Sequence, residues 1–247
     1  NVGHWMQGNF GHDRKNIALT IKSFYETFKN KENPPALILK CCRVNSSVGD
    51  KENIQRKISD IRDSIEGKNI PSVYLLHGEF TDKEMNEIYN HPKIKSMVSF
   101  TKGEGFGRPL LEFSLTNKPI IASGWSGQLD FLHKDYTALC GGKLINIDKS
   151  AQVKGMLIEG SQWFDVDHNY VNHFYNDIFN NYDIWLTKAK DQGKYIRKNY
   201  SFSKMTNKIE EILEKNIPEL PKKMELKLPG IDKIKMPKKN KKLKIVK

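Results

Sequence analysis

An α/β fold of the Rossmann-like, doubly wound type is predicted by three observations. Short apolar runs alternate with amphipathic helical patterns, which is the signature of a parallel sheet covered by helices on both faces. The connections between them are short, so successive elements pack as neighbours. The residues that carry chemistry fall just after the apolar runs, where ligands bind in such sheets, outside the carboxyl ends of the strands.

The elements follow in order. Ile17, Ile21, Phe24 and Phe28 have the spacing of a helix with one apolar face. ALILK (36–40) reads as a short buried strand, with Lys40 just past its apolar part. Ile54, Ile58, Ile61 and Ile65 form a second helical stripe, with Gly67 expected as the C′ residue that ends it. VYLLHG (73–78) is the next strand. Thr81 and Glu84 then make a capping box before MNEIYNH. KSMVSF (95–100) is a strand, GRPLLEFSLTN (107–117) a helix with Pro109 in its first turn, and PIIAS (119–123) a further strand.

Beyond Leu132 the pattern is less regular. SQWFDVD (161–167) is expected to pack its aromatics on the far side of the domain. Helices are expected at 169–180, 183–198 and 203–215, packed around the sheet, with Tyr170, Phe174 and Phe179 as a packing stripe. Apolar periodicity stops at Pro218. The predicted organisation is one domain over 1–217 and a flexible basic tail over 218–247.

Charge supports that division. The net charge is +12. Eleven lysines against three acidic residues between Pro218 and Lys247 place about +8 of it in the tail. A body carrying only about +4 does not by itself argue for nucleic acid. Three readings of the tail stand: contact with an anionic membrane surface, contact with nucleic acid, or a solvated tail. The lack of aromatics after Phe202 weakens base stacking.

Three cysteines, Cys41, Cys42 and Cys140, are too few and badly spaced for a disulfide framework or a zinc site. Buried reduced thiols are expected, hence a reducing, cytoplasmic setting, with peripheral membrane contact through the tail as an option. No run reaches the roughly 20 apolar residues that a bilayer-spanning helix needs. The opening residues also lack the apolar core of a secretory signal.

The chemistry concentrates in FTKGEGFGRPLLE (100–112). Glycines at 103, 105 and 107 allow close approach to the main chain, and a helix start beyond them favours an anion. Glu104 and Glu112 flank the amides of Gly105, Phe106 and Gly107. Carboxylates accept hydrogen bonds from sugar hydroxyls, while amides and a helix dipole favour phosphate. One stretch thus supplies what a sugar nucleotide requires. The plainer reading of the glycines is a tight surface turn; for Glu112 alone it is a solvated helix residue, and for Lys15 alone a helix-surface lysine. Lys40 suits a structural role as well as contact with a base or phosphate.

EGFGRPLLEFSLTNKPIIAS resembles the E-x7-E region of family-4 (group 1) retaining glycosyltransferases, which have the two-domain GT-B architecture. GNFGHDRKNIALTIKSF is similar to the stretch that opens that family's C-terminal, donor-binding domain, and LILK and YLLHGEFTDKEMNEIY follow in family order. The resemblance covers about residues 3–215. It implies a nucleoside diphosphate sugar as donor, transfer with retention, no cofactor and no metal. It places Lys15 on the diphosphate, Glu104 on the donor sugar and Glu112 on the ribose. Gly8, Asn9, Arg14, Lys40, Gly105, Phe106, Gly107 and Arg108 complete the implied donor site. Asn9 stands where the family pattern has an arginine, and Arg14 is the nearest substitute.

The acceptor, whether glycan, lipid or protein, is not encoded here, because the family's acceptor domain is absent. The chain is accordingly a fragment, or it is completed by a separate acceptor-domain polypeptide, or it is a non-catalytic binding or scaffolding module. A dinucleotide oxidoreductase fits poorly: its G-x-G-x-x-G would follow the first strand, whereas these glycines follow a later strand as G-x-G-x-G.

Overall fold

The computed structural model describes residues 1–218 except Gln7, Asn9 and Asn45. The expected tail from residue 219 onward and the candidate Asn9 lie outside the described residues. The chain divides into two compact units, Asn1–Lys204 and Met205–Lys247.

In the first unit, β1 (Val2–His4), β2 (Leu37–Cys42) and β3 (Val73–Leu76) form one parallel sheet, with β2 in the middle. A second parallel sheet is built from β4 (Met97–Ser99), β5 (Ile120–Ser123) and β6 (Ala138–Cys140), with β5 central. The Asn1 side-chain amide donates to the Val98 carbonyl at 2.9 Å and so ties the β1 edge to the β4 edge. Among the described residues no ladder pairs β1 with β4; laid side by side across that side-chain link, the two sheets give the doubly wound order β3-β2-β1, β4-β5-β6, which reverses between β1 and β4. Such a reversal opens a crevice at the carboxyl ends of the two strands.

Alternate strand residues serve two cores, which is why these strands read as near-continuous apolar runs. Leu37, Leu39, Cys41, Val98 and Ile121 pack against α1 (Ile17–Phe28), α2 (Val48–Asp63) and α5 (His168–Asn180). Met97, Ile120 and Ala122 pack instead with α3 (Asp82–Asn90), α4 (Arg108–Ser114) and α6 (Tyr182–Asn199). Each large side chain so buried contributes about 1.5–3 kcal/mol. The three cysteines are buried and unpaired.

Local signals fix most helix ends. The Thr81–Glu84 capping box starts α3. Of the expected α2 stripe, Ile54 and Ile61 are buried, Ile58 is partly buried, and Ile65 is buried just past the helix end: Ser64 is the C-cap, and its hydroxyl donates to the Ile61 carbonyl at 2.6 Å. Gly67 therefore lies beyond the helix end and is not its C′ residue. In α5 the buried stripe is Val171, Tyr175 and Ile178. Tyr170 and Phe179 are exposed, one position out of the expected register.

An antiparallel hairpin of β7 (Gly142–Asn146) and β8 (Gln162–Val166) occupies the stretch that lacked clear periodicity. α7 (Phe202–Asn216) reaches into the second unit and has no buried residue, unlike the packed helix expected there. No helix among the described residues is long and apolar enough to cross a membrane.

Candidate functional site

The crevice between β1 and β4 is bordered by two loops. The first runs from Trp5 to Asn16. Gly8 has φ 122°, and a Cβ there would overlap the His12 carbonyl, so only glycine fits this turn. Asp13, fully buried, accepts from the Ile17 amide at 2.8 Å and caps α1. Burial pushes its carboxyl up, while the amide hydrogen bonds pull it down. Asn16 completes the turn in the left-handed region, φ 54°. The result directs Arg14 and Lys15 across the sheet. The Lys15 stem lies over Gly3 of β1, where a Cβ would meet it in ordinary van der Waals contact.

The second loop follows β4. Lys15 Nζ forms an ion pair with Glu104 Oε1. Arg14 Nη1 donates to the Gly103 carbonyl at 2.7 Å and lies 3.8 Å from the same Glu104 oxygen. Burial, with the neighbouring Arg14 guanidinium adding to it, pushes the Lys15 ammonium down to about 8. The two loops thus bring a carboxylate and two cations together beyond the carboxyl ends of β1 and β4.

The far side of the Glu104 loop is fastened by residues that sequence reasoning passed over. The Glu104 amide donates to Ser126 Oγ at 3.0 Å, and that hydroxyl donates to the Glu104 carbonyl at 2.6 Å. Ser126 does this with φ 76°, a conformation that costs a non-glycine residue on the order of 1–3 kcal/mol. The Gly127 amide also donates to the Glu104 carbonyl, at 3.0 Å. A Cβ on Gly127 would overlap the Gly105 carbonyl oxygen.

Only one of the three loop glycines requires a left-handed backbone. Gly107, φ 92°, is the N-cap of α4, with Pro109 in the first turn. At Gly103 and Gly105 a Cβ would meet nothing within 4 Å, so these positions face open space. Phe106 is partly exposed, its ring 5.1 Å from that of Phe131.

Glu112 belongs to a separate group. Its Oε1 accepts from Arg108 Nε at 2.5 Å, and Arg108 Nη2 lies 3.1 Å from Asp82 Oδ1 at the start of α3. The contacts of Glu104 run instead to Arg14 and Lys15, so the two glutamates are engaged by different cations. Lys40 sits inside β2, opposite Leu76 in the register, and not beyond the strand end as expected. Its ammonium lies 5.3 Å from the Phe80 ring centroid.

An ion pair between a buried lysine and a partly exposed aspartate lies next to the Glu104 loop. Lys102 is 1% exposed, and its ammonium pairs with Asp165 of β8 and lies 5.5 Å from the Trp163 ring centroid. The Lys102 amide donates to the Arg14 carbonyl at 2.8 Å, and its carbonyl accepts from the Phe164 amide at 2.9 Å. The WFDV strand therefore lies against the site loops, which corrects its expected place on the far side. A period-2 reading of QWFDV puts Trp163 and Asp165 on one face, the one signal that could have found this pair.

No group of three or more His, Cys, Asp or Glu side chains that could hold a metal ion occurs among the described residues. A cleft of about 730 Å³ is lined by Pro35, Ala36, Lys95 and Ser96, where β2 and β4 begin, and also by Asn1, Lys40 and Leu76. Of the candidate donor residues this cleft takes in Lys40, and it contains neither Lys15 nor Glu104.

No family model matches the sequence, and no curated protein matches it. Solved structures do match. The Anabaena protein HepE, determined in complex with UDP and glucose, is similar with a TM-score of 0.56 at 13% identity. That match covers 87% of this chain and 48% of HepE, so the chain spans about half of HepE's length. A glycosyltransferase from Rickettsia africae is matched with a TM-score of 0.56 at 12% identity, over 87% of this chain and 47% of that one. The C-terminal domain of a group 1 glycosyltransferase, LpcC of Francisella tularensis, has a TM-score of 0.52 at 13% identity, with 81% of this chain and 86% of that domain covered. At these identities the likeness concerns the fold: this chain folds as one GT-B half-domain, a Rossmann-like doubly wound parallel sheet.

Proposed function

We propose that this chain is the donor-binding half of a retaining, family-4-like glycosyltransferase acting on a nucleoside diphosphate sugar. The observation that carries the reading is the convergence of Arg14, Lys15 and Glu104 where the strand order reverses. A donor exchanges the resting Lys15–Glu104 pair for two better-matched contacts. The Lys15 ammonium turns to the diphosphate, and the Glu104 carboxylate accepts from hydroxyls of the sugar.

In the transfer, the bond from the anomeric carbon to the β-phosphate oxygen breaks, and a bond to the acceptor oxygen forms on the same face of the sugar. The departing phosphate oxygen takes the acceptor's proton. Negative charge grows on the diphosphate as it leaves, and Lys15 stabilises it there, with Arg14 standing in for the cation lacking at Asn9. The open main chain at Gly103 and Gly105 admits the phosphates. Glu112, released from Arg108, anchors the ribose, and Lys40 with the 105–108 segment completes the donor contacts.

The reading needs no metal and no protein nucleophile, since positioning and electrostatics supply the rate. The acceptor, a glycan, lipid or protein, is brought by a second domain, in the same protein or on a separate polypeptide. The basic segment after Pro218 suits an anionic surface near that acceptor.

A thermal-shift panel of UDP-, GDP- and ADP-sugars tests the reading. Ligand at 100 times its dissociation constant adds about 2.7 kcal/mol of stability. A shift with one base, lost in Lys15→Ala and in Glu112→Ala, is expected. A flat panel on folded protein would leave a binding or scaffolding module in place of an enzyme.

A further inference from the structure

We propose that Trp125 is the floor of a subsite for a sugar ring, with Glu104 as its polar wall; the inference rests on the donor-site reading. Trp125 stands out among the four tryptophans. Trp5, Trp163 and Trp185 are buried, whereas Trp125 is 41% exposed. Its ring stacks on the buried Phe164 of β8, centroids 5.6 Å apart and planes within 9°. The stack occupies one face of the indole and holds the ring flat. An indole fixed in this way presents its other side to solvent as a rigid, flat apolar surface.

Its neighbours identify the ligand. Ser126, the next residue, holds the Glu104 main chain through both its amide and its carbonyl. Gly127 holds the same carbonyl, and Phe164 is hydrogen-bonded to Lys102, two residues before Glu104. The indole and the Glu104 loop are thus fixed to each other through three short links. A flat apolar ring fixed to the loop that carries a carboxylate suits a pyranose, which has a C–H face to lay on the indole and hydroxyls at its rim to give to the carboxylate. A small number of placed polar groups over an aromatic lining is how small-ligand sites obtain orientation. The strained φ of Ser126 is consistent with a segment held for ligand contact.

Two sources offer such a ring, the donor sugar and an acceptor saccharide. Acrylamide quenching of tryptophan fluorescence separates them, because Trp125 is the accessible indole and Trp125→Phe supplies the background. In one arm UDP and UDP-glucose, GDP and GDP-mannose, and ADP and ADP-glucose are compared. In the other, methyl glucoside and methyl mannoside are titrated onto protein saturated with the nucleoside diphosphate. The donor source is indicated by protection with a sugar nucleotide and not with its parent diphosphate; the acceptor source is indicated by protection with the free glycoside.

In either case Trp125→Ala should weaken the sugar-dependent part of binding about tenfold, with Trp125→Phe between the two. The parent diphosphate's affinity should change less than twofold. If diphosphates bind but no sugar protects Trp125, this inference fails and the donor site stands. If sugars protect Trp125 while no diphosphate binds, the donor reading fails and the sugar subsite stands. Equal sugar affinity in wild type and Trp125→Ala overturns the inference.

Discussion

Lys15 and Glu104, 89 positions apart, meet in an ion pair that spans the carboxyl ends of β1 and β4. In the proposed donor site, each is the partner that the other must release when a donor arrives. A substitution at either end therefore has a sign as well as a size. Lys15→Met removes the diphosphate's cation and should weaken nucleoside diphosphate binding by tenfold or more, the scale of a lost charge-assisted contact. Glu104→Gln frees Lys15, so the free diphosphate should bind as well as before or better, while the sugar nucleotide loses its advantage over it. Fluorescence titration of both ligands on both variants checks the pattern.

The depressed Lys15 ammonium gives binding a pH signature. Its value in the free protein, about 8, lies far below that of a solvated lysine. A bound anion favours the charged form, so binding takes up a proton wherever free Lys15 is neutral. Affinity for the diphosphate should be level below pH 8 and fall up to tenfold per unit above it, until Lys15 of the complex also loses its proton. A Lys15→Met control should be flat across the same range. A wild-type profile that stays level up to pH 9.5 would separate Lys15 from the anion.

Lys102 and Asp165 form a pair with one buried end, the ammonium, and one partly exposed end, the carboxylate. Removing one partner strands the other charge, which typically costs 3–5 kcal/mol; replacing both with apolar residues of similar size is often neutral. Asp165→Leu strands the buried Lys102 ammonium and should destabilise the protein by that order, whereas Lys102→Met leaves a carboxylate that water still reaches and should cost less. The double variant should regain most of the loss, as read from urea unfolding midpoints.

Gly127 admits no side chain. Gly127→Ala forces its Cβ into the Gly105 carbonyl, and the Glu104 loop is the part free to give way. The sheet and both cores are untouched, so the near-native circular dichroism spectrum should persist with a lower melting temperature. Donor binding should drop tenfold or more in the same preparation.

The fold and part of the site were legible in the sequence for different reasons. The stripes of α1 and α2 and the Thr81–Glu84 box are local patterns, written within a dozen residues, and the structure holds them where expected. The β7–β8 hairpin escaped notice because its first strand is exposed along nearly its whole length and carries no core period. Lys40 was misplaced because a lysine reads as a strand end, although β2 continues through Cys41 and Cys42 into the core. At the site, the stretch around Glu104 declared itself through its glycines. The supports did not. Ser126, Lys102 and Asp165 matter through partners 22 and 63 positions away, and no spacing rule connects them.

Isothermal titration of the nucleoside diphosphate selected by the thermal panel, into wild type and Lys15→Met at pH 7, tests the central claim most directly. The account expects a saturable 1:1 isotherm in the wild type and at least tenfold weaker binding in the variant, with both proteins folded. Equal affinity in the two, or no binding to folded wild type, would contradict a donor site built on Lys15 and Glu104.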